Sequence, residues 1–270
     1  MRRSRFSNYI CCVQHLPLTI TFLGTGTSSG VPMIGCSCAV CTSADKKDNR
    51  LRTSILVQSP TTTLVVDTTP DFRYQMLRAR VKKLDAVLFT HPHKDHIAGL
   101  DDVRAYNFFQ HRAMPLYANE MTIEALLREF AYAFAPKRYP GVPNLELHPI
   151  TLEPFAVGDI LVTPIQVWHL RMPVLGFRFG PFTYITDANR IEESEKEKIR
   201  GSAVLVLNAL RKEDHISHFS LHEAVDLVQE LDIPTAYFTH ISHQLGLHRV
   251  VEKELPPGMH LGYDGLVVNV

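Results

Sequence analysis

Asp85-Ala86-Val87-Leu88-Phe89-Thr90-His91-Pro92-His93-Lys94-Asp95-His96 runs from a buried-looking β pattern straight into a crowd of metal-binding side chains. His91, His93, Asp95 and His96 are costly to strip of water, yet they stand at the end of an apolar strand. A transition metal accounts for that cost, because neutral imidazole and carboxylate are good ligands for zinc, iron and manganese. In a tight turn, His91 and His93 can face one way while Asp95 and His96 face another, which suits two metals rather than one. A His-rich surface loop would share the residue types, but not this spacing directly behind a strand.

The pattern H-x-H-x-D-H after a strand resembles the signature of the metallo-β-lactamase superfamily of hydrolases. That resemblance implies further ligands at the ends of later strands, and the chain supplies them in order. Val162-Thr163-Pro164-Ile165-Gln166-Val167-Trp168-His169 offers His169. Phe182-Thr183-Tyr184-Ile185-Thr186-Asp187 offers a bridging carboxylate, and Ala236-Tyr237-Phe238-Thr239-His240 offers the last imidazole. Each would be weak alone, since a lone His near a strand end is more often packed and hydrogen-bonded than a ligand. The resemblance assigns His91, His93 and His169 to one metal and Asp95, His96 and His240 to a second. Asp187 and a hydroxide bridge them, and Asp95 counts as catalytic as well as a ligand. The metals are zinc, manganese or iron. Asp67, closing Leu64-Val65-Val66, resembles the family's first-motif Asp and is expected to orient a metal-site histidine from behind.

The 270 residues and 45% apolar content allow one large α/β core. With 28 basic and 28 acidic residues, the total charge draws the chain to neither nucleic acid nor membrane. No long apolar run marks a membrane span. Residues 1–16, MRRSRFSNYICCVQHL, make a poor secretory signal, because Gln14 and His15 interrupt a short apolar stretch. Residues 1–17 are expected to be a flexible extension, or the product of a start codon placed too far upstream. Five cysteines do not suggest a disulfide framework, and the expected location is the cytoplasm. Strands are expected at 18–23, 54–57 and 63–66, and helices near 72–80, 98–109, 120–131, 190–199 and 221–231. Residues 135–143 read as a loop. By resemblance, residues 18–270 form a single hydrolase domain, a four-layer αββα sandwich of two similar halves; composition and periodicity alone say α/β.

Gly35-Cys36-Ser37-Cys38-Ala39-Val40-Cys41 places three thiols in six residues, a spacing that can occupy three corners of a zinc tetrahedron. A redox pair of Cys38 and Cys41 is the other reading, but no thioredoxin-like context surrounds it. Cys11 and Cys12 lie apart from this cluster. A Cys-rich insertion after Gly24-Thr25-Gly26-Thr27-Ser28-Ser29-Gly30-Val31-Pro32 resembles the phosphoribosyl 1,2-cyclic phosphate phosphodiesterases of phosphonate breakdown. Thr239-His240-Ile241-Ser242-His243-Gln244, Leu255-Pro256-Pro257-Gly258 and Gly262-Tyr263-Asp264-Gly265 match as well. That resemblance implies His243 as the fourth ligand of a structural zinc. It also implies that His218, in Ser217-His218-Phe219-Ser220, grips the substrate phosphate and protonates the leaving oxygen. Without the resemblance, His218 merely flanks a helix capped by Ser220. The Gly loop lacks the G-K-[ST] of a P-loop and is expected to turn tightly beside the site.

Two divalent ions, two carboxylates and one hydroxide leave the implied site at about +1, which favours an anionic oxygen such as that of a small phosphodiester. The stretches Trp168-His169-Leu170-Arg171-Met172 and Lys212-Glu213-Asp214 depart from the phosphonate enzymes. Rival readings share the core. A tRNA 3′-processing endonuclease would need a basic face and an RNA-gripping arm. A thioesterase or glyoxalase-II-like hydrolase suits Asp187 equally but carries extra helices after the core. A β-lactamase would be exported, and a purely structural or metal-sequestering relative would have lost ligands. Nucleic acid and a second copy of the chain both stay open as partners, and no membrane is expected.

Overall fold

The structure, a computed structural model, describes residues 16–137 and 139–270. Cys11, Cys12 and most of the expected extension therefore lie outside the described residues. Leu16 already packs against the core, and Leu18 exchanges backbone hydrogen bonds with Val270.

Alternation along the strands builds the layers. In β1 (Thr19–Gly24), Ile20 and Phe22 point to one cluster of buried side chains. In β2 (Ser54–Gln58), Ile55 and Val57 join that cluster while Leu56 faces the opposite side. β3 (Thr63–Val66) and β4 (Ala86–Leu88) split the same way, with Val65 and Val87 facing outward into the second cluster. With β5 (Met114–Ala118) and β6 (Leu145–Pro149) they form one sheet. The other sheet contains β7 (Phe155–Val157), β8 (Ile160–His169), β9 (Met172–Phe179), β10 (Phe182–Tyr184), β11 (Val204–Asn208), β12 (Thr235–Thr239) and β13 (Met259–Leu261). β14 (Val267–Asn269) crosses back and pairs antiparallel with β1, so the seven-stranded orders are β14-β1-β2-β3-β4-β5-β6 and β13-β12-β11-β10-β9-β8-β7.

The β3-β4-β5-β6 and β10-β11-β12-β13 segments are parallel. Parallel neighbours need crossovers, and helices supply them. α1 (Phe72–Arg78), α2 (Lys94–Ile97), α3 (Arg104–Gln110), α4 (Glu120–Glu129) and α5 (Ala131–Phe134) serve the first sheet. α6 (Glu193–Ile199), α7 (Leu221–Glu230) and α8 (His248–Val251) serve the second. Three buried clusters result: one between the sheets, one under the first helical layer and one under the second. That is the αββα sandwich. The apolar face expected on residues 221–231 packs into the second outer cluster, with Val225 only partly buried.

Local expectations need small corrections. The helix expected near 98–109 begins as a 3₁₀ turn at Leu100–Val103, just after Gly99, which packs so closely on Thr69 that a Cβ would meet its carbonyl oxygen at 2.0 Å. The helix expected from 190 starts at Glu193, since Arg190 is held in a β-bridge to Trp168. That expected over 120–131 breaks at Phe130, whose φ of −116° leaves the helical range. Among the described residues, no helix is long and apolar enough to cross a membrane.

Phe22 is fully buried between the sheets and meets Tyr237 edge-on at 5.7 Å between ring centroids. Phe22→Ala is expected to cost about 3–5 kcal/mol of stability, read as a lowered denaturant midpoint at unchanged slope and equal metal content.

Candidate metal centre and active site

The side chains singled out in the sequence meet at one edge of the sandwich, beyond the carboxyl ends of β3, β4, β10 and β12 and at the last residue of β8. Crevices outside strand C-termini are the usual ligand sites of open α/β sheets. The backbone there is strained. Asp67, Asp187 and His240 adopt φ of 67°, 55° and 55°, in the left-handed region that non-glycine residues rarely enter. Each costs on the order of 1–3 kcal/mol, and such outliers collect at functional sites.

Asp187 stands at the centre. Its Oδ1 lies 4.0 Å from His91 Nε2 and 3.9 Å from His218 Nδ1. Its Oδ2 lies 3.3 Å from His96 Nε2 and 3.0 Å from His240 Nδ1. One carboxylate oxygen thus faces each expected half-site. On the Oδ1 side, His91 Nε2 is 3.1 Å from His93 Nδ1, and the His93 and His169 rings are 5.1 Å apart. On the Oδ2 side, Asp95 Oδ2 lies 3.3 Å from His96 Nε2. Donor atoms of Asp95, His96, Asp187 and His240 all fall within 4.8 Å of one another, as do those of His169, Asp187 and His218.

The donors fit a cation. His96 Nε2 is buried and has no well-aligned hydrogen-bond partner, although two carboxylate oxygens are 3.3 Å away. Burial alone would raise the Asp187 pKa, yet His240 and His96 hold it well below the ordinary carboxylate range. Burial alone would neutralise His96, but Asp187, Asp95 and Asp67 push it well above the usual imidazole value. The carboxylates therefore demand a positive charge at this point, and a divalent ion meets that demand better than one proton.

Asp67 stands directly behind His96. Its Oδ2 accepts at 2.7 Å from His96 Nδ1 and at 2.8 Å from Thr90 Oγ1, and its Oδ1 accepts at 2.9 Å from the Thr90 amide. The amide of Leu175 donates to the Thr90 carbonyl at 3.0 Å, which ties β9 of the second sheet to the His91 turn of the first.

His218 is nine-tenths buried, 4.5 Å from the His169 ring and stacked 4.8 Å from that of His240. Its Nδ1 has no hydrogen-bond partner. Burial, reinforced by His240, pushes it down to about 3, so it is neutral in the free site. Its near neighbours divide clearly. His215 lies behind it at 5.2 Å, while His222 turns away to Ser220 Oγ and Asp214. Ser220 and Glu223 do form a capping box on α7.

Cys36, Cys38, Cys41 and His243 come together elsewhere, their donor atoms all within 4.8 Å of one another and none in a disulfide. His243 Nδ1 lies 3.5 Å from Cys36 Sγ and 3.3 Å from Cys38 Sγ. The His243 imidazole, then the Cys41 amide, hold the Cys38 thiol down at about 6. Three sulfurs and one imidazole at this separation suit tetrahedral zinc.

Some contributors escaped the sequence reading. The Ser217 carbonyl accepts from His169 Nδ1 at 2.8 Å. Thr27 Oγ1 lies 3.1 Å from His240 Nε2, so the Gly loop both turns beside the site and touches it. Arg50, 4% exposed, donates to Thr25 Oγ1 and the Gly262 carbonyl. Nothing local in the sequence marks these partners.

Residues 62–241 match the sequence profile of the beta-lactamase superfamily domain. Among solved structures, the chain is similar to a diphosphatase of the PhnP family, with 41% identity and a TM-score of 0.89 over 94% of this chain and 98% of that one. The short form of human tRNase Z superposes with a TM-score of 0.69 at 15% identity, over 93% of this chain and 98% of that one, a likeness of fold. An octanoyltransferase of Porphyromonas gingivalis is 39% identical over 247 residues, 90% of this chain but 50% of that protein. The chain spans about half the length of the curated relatives it matches.

Elemental analysis is expected to find up to about three metals per chain, with mild chelation emptying the His/Asp cluster before the thiolates. Cys38→Ser should lower thermal stability first, because a structural zinc contributes folding free energy. Lost turnover in a stable, fully metal-loaded Cys38→Ser protein would make the thiolate cluster catalytic instead.

Proposed function

Because the chain belongs to the β-lactamase superfamily of metal-dependent hydrolases and stands close to the PhnP family, we propose that it is a phosphodiesterase with a dinuclear metal centre, acting on a small, cyclic or open, phosphodiester. The observation that carries this reading is Asp187, with one oxygen turned to His91 and the other to His96 and His240. In this reading His91, His93 and His169 hold one ion, Asp95, His96 and His240 the other, and Asp187 both. Divalent ions held there would lower the pKa of a bound water to about 7 and would neutralise charge gathering on phosphoryl oxygens.

The protein's own groups do the rest. Imidazoles and carboxylates are held rigidly by partners behind them, so little reorganisation is left for the reaction. His218 Nδ1, buried and unpartnered, is the atom free to meet a substrate oxygen. An anionic phosphate oxygen beside it favours its protonated form. His218 can then pass that proton to the leaving alkoxide.

The octanoyltransferase likeness points toward acyl transfer instead. Transfer through a covalent acyl intermediate needs an activated Ser, Cys or Lys nucleophile. The side chains converging on Asp187 are imidazoles and carboxylates, and the three thiols gather on His243. Hydrolysis of phosphodiesters therefore suits this constellation better. Initial rates with cyclic and nitrophenyl phosphodiesters, a thioester, a lactam and a pre-tRNA 3′ end separate the readings. Metal-dependent turnover confined to the thioester would overturn the phosphodiesterase assignment.

Asp187→Ala is expected to lower turnover by orders of magnitude while circular dichroism and the thiolate zinc stay unchanged. His218→Ala is expected to slow chemistry by about 10²–10⁴-fold on an alkoxide leaving group, and much less on a nitrophenyl ester, which needs no proton. Equal losses on both substrates would leave His218 as a phosphate-gripping group only. A fall in metal content would make it a ligand beside His169 and Asp187.

A further inference from the structure

Three of the imidazoles around Asp187 share a construction. His91 Nδ1 meets Thr90 Oγ1 at 2.9 Å, His96 Nδ1 meets Asp67 Oδ2 at 2.7 Å and His169 Nδ1 meets the Ser217 carbonyl at 2.8 Å. In His91 and His96 the other nitrogen is turned to the carboxylates. A histidine held from behind in this way keeps one tautomer and one ring orientation. His240 follows the same plan with different parts. Its Nδ1 faces Asp187 Oδ2 at 3.0 Å, and its Nε2 faces Thr27 Oγ1 at 3.1 Å.

We propose that Thr27 is the positioning residue of His240, its hydroxyl accepting from Nε2–H and so keeping the Nδ1 lone pair directed at the carboxylates for a metal. The inference rests on the assignment of His240 to the metal centre. Thr27 is 8% exposed, and its backbone is fastened on both sides. Its amide donates to the Ile241 carbonyl at 3.1 Å, and the Ile241 amide donates to the Thr25 carbonyl at 2.9 Å. The two loops thus run locked together, and the hydroxyl cannot drift from the ring without breaking that pairing. Behind this pairing, Gly26 lets residues 50–51 lie close, since a Cβ there would lie 2.8 Å from the Arg50 carbonyl oxygen. Thr25, two residues before Thr27, is held by Arg50 and by Asp264 Oδ1, each at 2.9 Å. A hydroxyl suits this position because it can accept from Nε2–H, which a methyl of equal size cannot.

The test is Co(II) titration of protein whose His/Asp cluster has been emptied by chelation, with the thiolate zinc confirmed by elemental analysis. Binding is followed in the visible ligand-field absorption of Co(II), without any turnover assay. Thr27→Val removes the hydroxyl at constant shape, and Thr27→Ala replaces it should the valine disturb folding. One of the two Co(II) steps is expected to weaken by about 10–100-fold, with recovery in Thr27→Ser. His240→Ala serves as the reference and should weaken the same step at least as much. Wild-type affinity in Thr27→Val, beside a weakened His240→Ala, would overturn the role of Thr27 alone. Equal losses in Thr27→Val and Thr27→Ser would also overturn it, since packing and not the hydroxyl would then be responsible. Wild-type affinity in His240→Ala would overturn the metal assignment beneath it.

Discussion

A carboxylate buried to 2% exposure at the meeting point of two sheets is the constraint around which this structure is arranged. An ionised Asp187 in so dry a place is tolerable only if positive charge and hydrogen-bond donors surround it on every side. His91 and His218 approach one oxygen, and His96 and His240 approach the other. Thr186 Oγ1 also donates to Oδ2, at 2.5 Å. Protons alone satisfy this cluster poorly, because a proton that favours one imidazole discourages the next: His96 is driven up while His91 is driven well down by burial and by His96 itself. A divalent cation between the rings would remove the competition.

Holding that cluster requires strain, and the sandwich supplies the means. Left-handed φ at Asp67, Asp187 and His240 costs on the order of 1–3 kcal/mol each. Fully burying one Leu, Ile, Val or Phe side chain contributes about 1.5–3 kcal/mol. The inter-sheet cluster alone includes Phe22, Phe177, Phe179 and Phe182, all fully buried, so the strain is a small fraction of what packing provides. The strained residues sit just past strands whose other residues are locked in that core, which leaves the chain no cheaper path. The Thr90–Leu175 hydrogen bond then ties the two sheets to each other at the site itself.

The thiolate cluster belongs to the same mechanical scheme. It grows out of the Gly loop on one side and grips His243, three positions beyond His240, on the other. Downstream, Arg50 is buried against Thr25, Gly262 and His248, while Asp48 accepts from the His248 amide at 2.7 Å. Asp264 accepts from Thr25 and from the Leu51 amide, each at 2.9 Å. Residues 24–52 are thereby bound to residues 240–264 along their length. A wall of the active site made from loop, with little regular structure of its own, acquires the rigidity of a sheet.

Much of this was legible in the chain, and the boundary has a physical cause. The candidate ligands His91, His93, Asp95 and His96 reveal themselves because four side chains so costly to desolvate rarely gather in one turn without a cation to offset the cost, and the spacing is local. His169, Asp187 and His240 became readable only by resemblance, since each is a single residue at a strand end; the fold brings them to Asp187 as that resemblance implied. The thiols of Cys36, Cys38 and Cys41 likewise announce a site by spacing, but choosing His243 needed the family pattern. The apolar pattern over 54–57, 63–66 and 85–89 marked strands. It could not tell that opposite faces of β2, β3 and β4 serve two separate cores. Apart from Asp67, which the resemblance singled out, the partners that hold these rings left no trace. Thr27 and His240 are 213 residues apart, and the Ser217 carbonyl that holds His169 is an atom every residue has. Local spacing encodes contacts within a turn or along a strand, so the sequence by itself determined the α/β class and the two local clusters of candidate ligands. Contacts between distant loops exist only once two sheets have stacked and their strand ends have met, so the orientation of the His96, His169 and His240 rings was decided by tertiary structure alone.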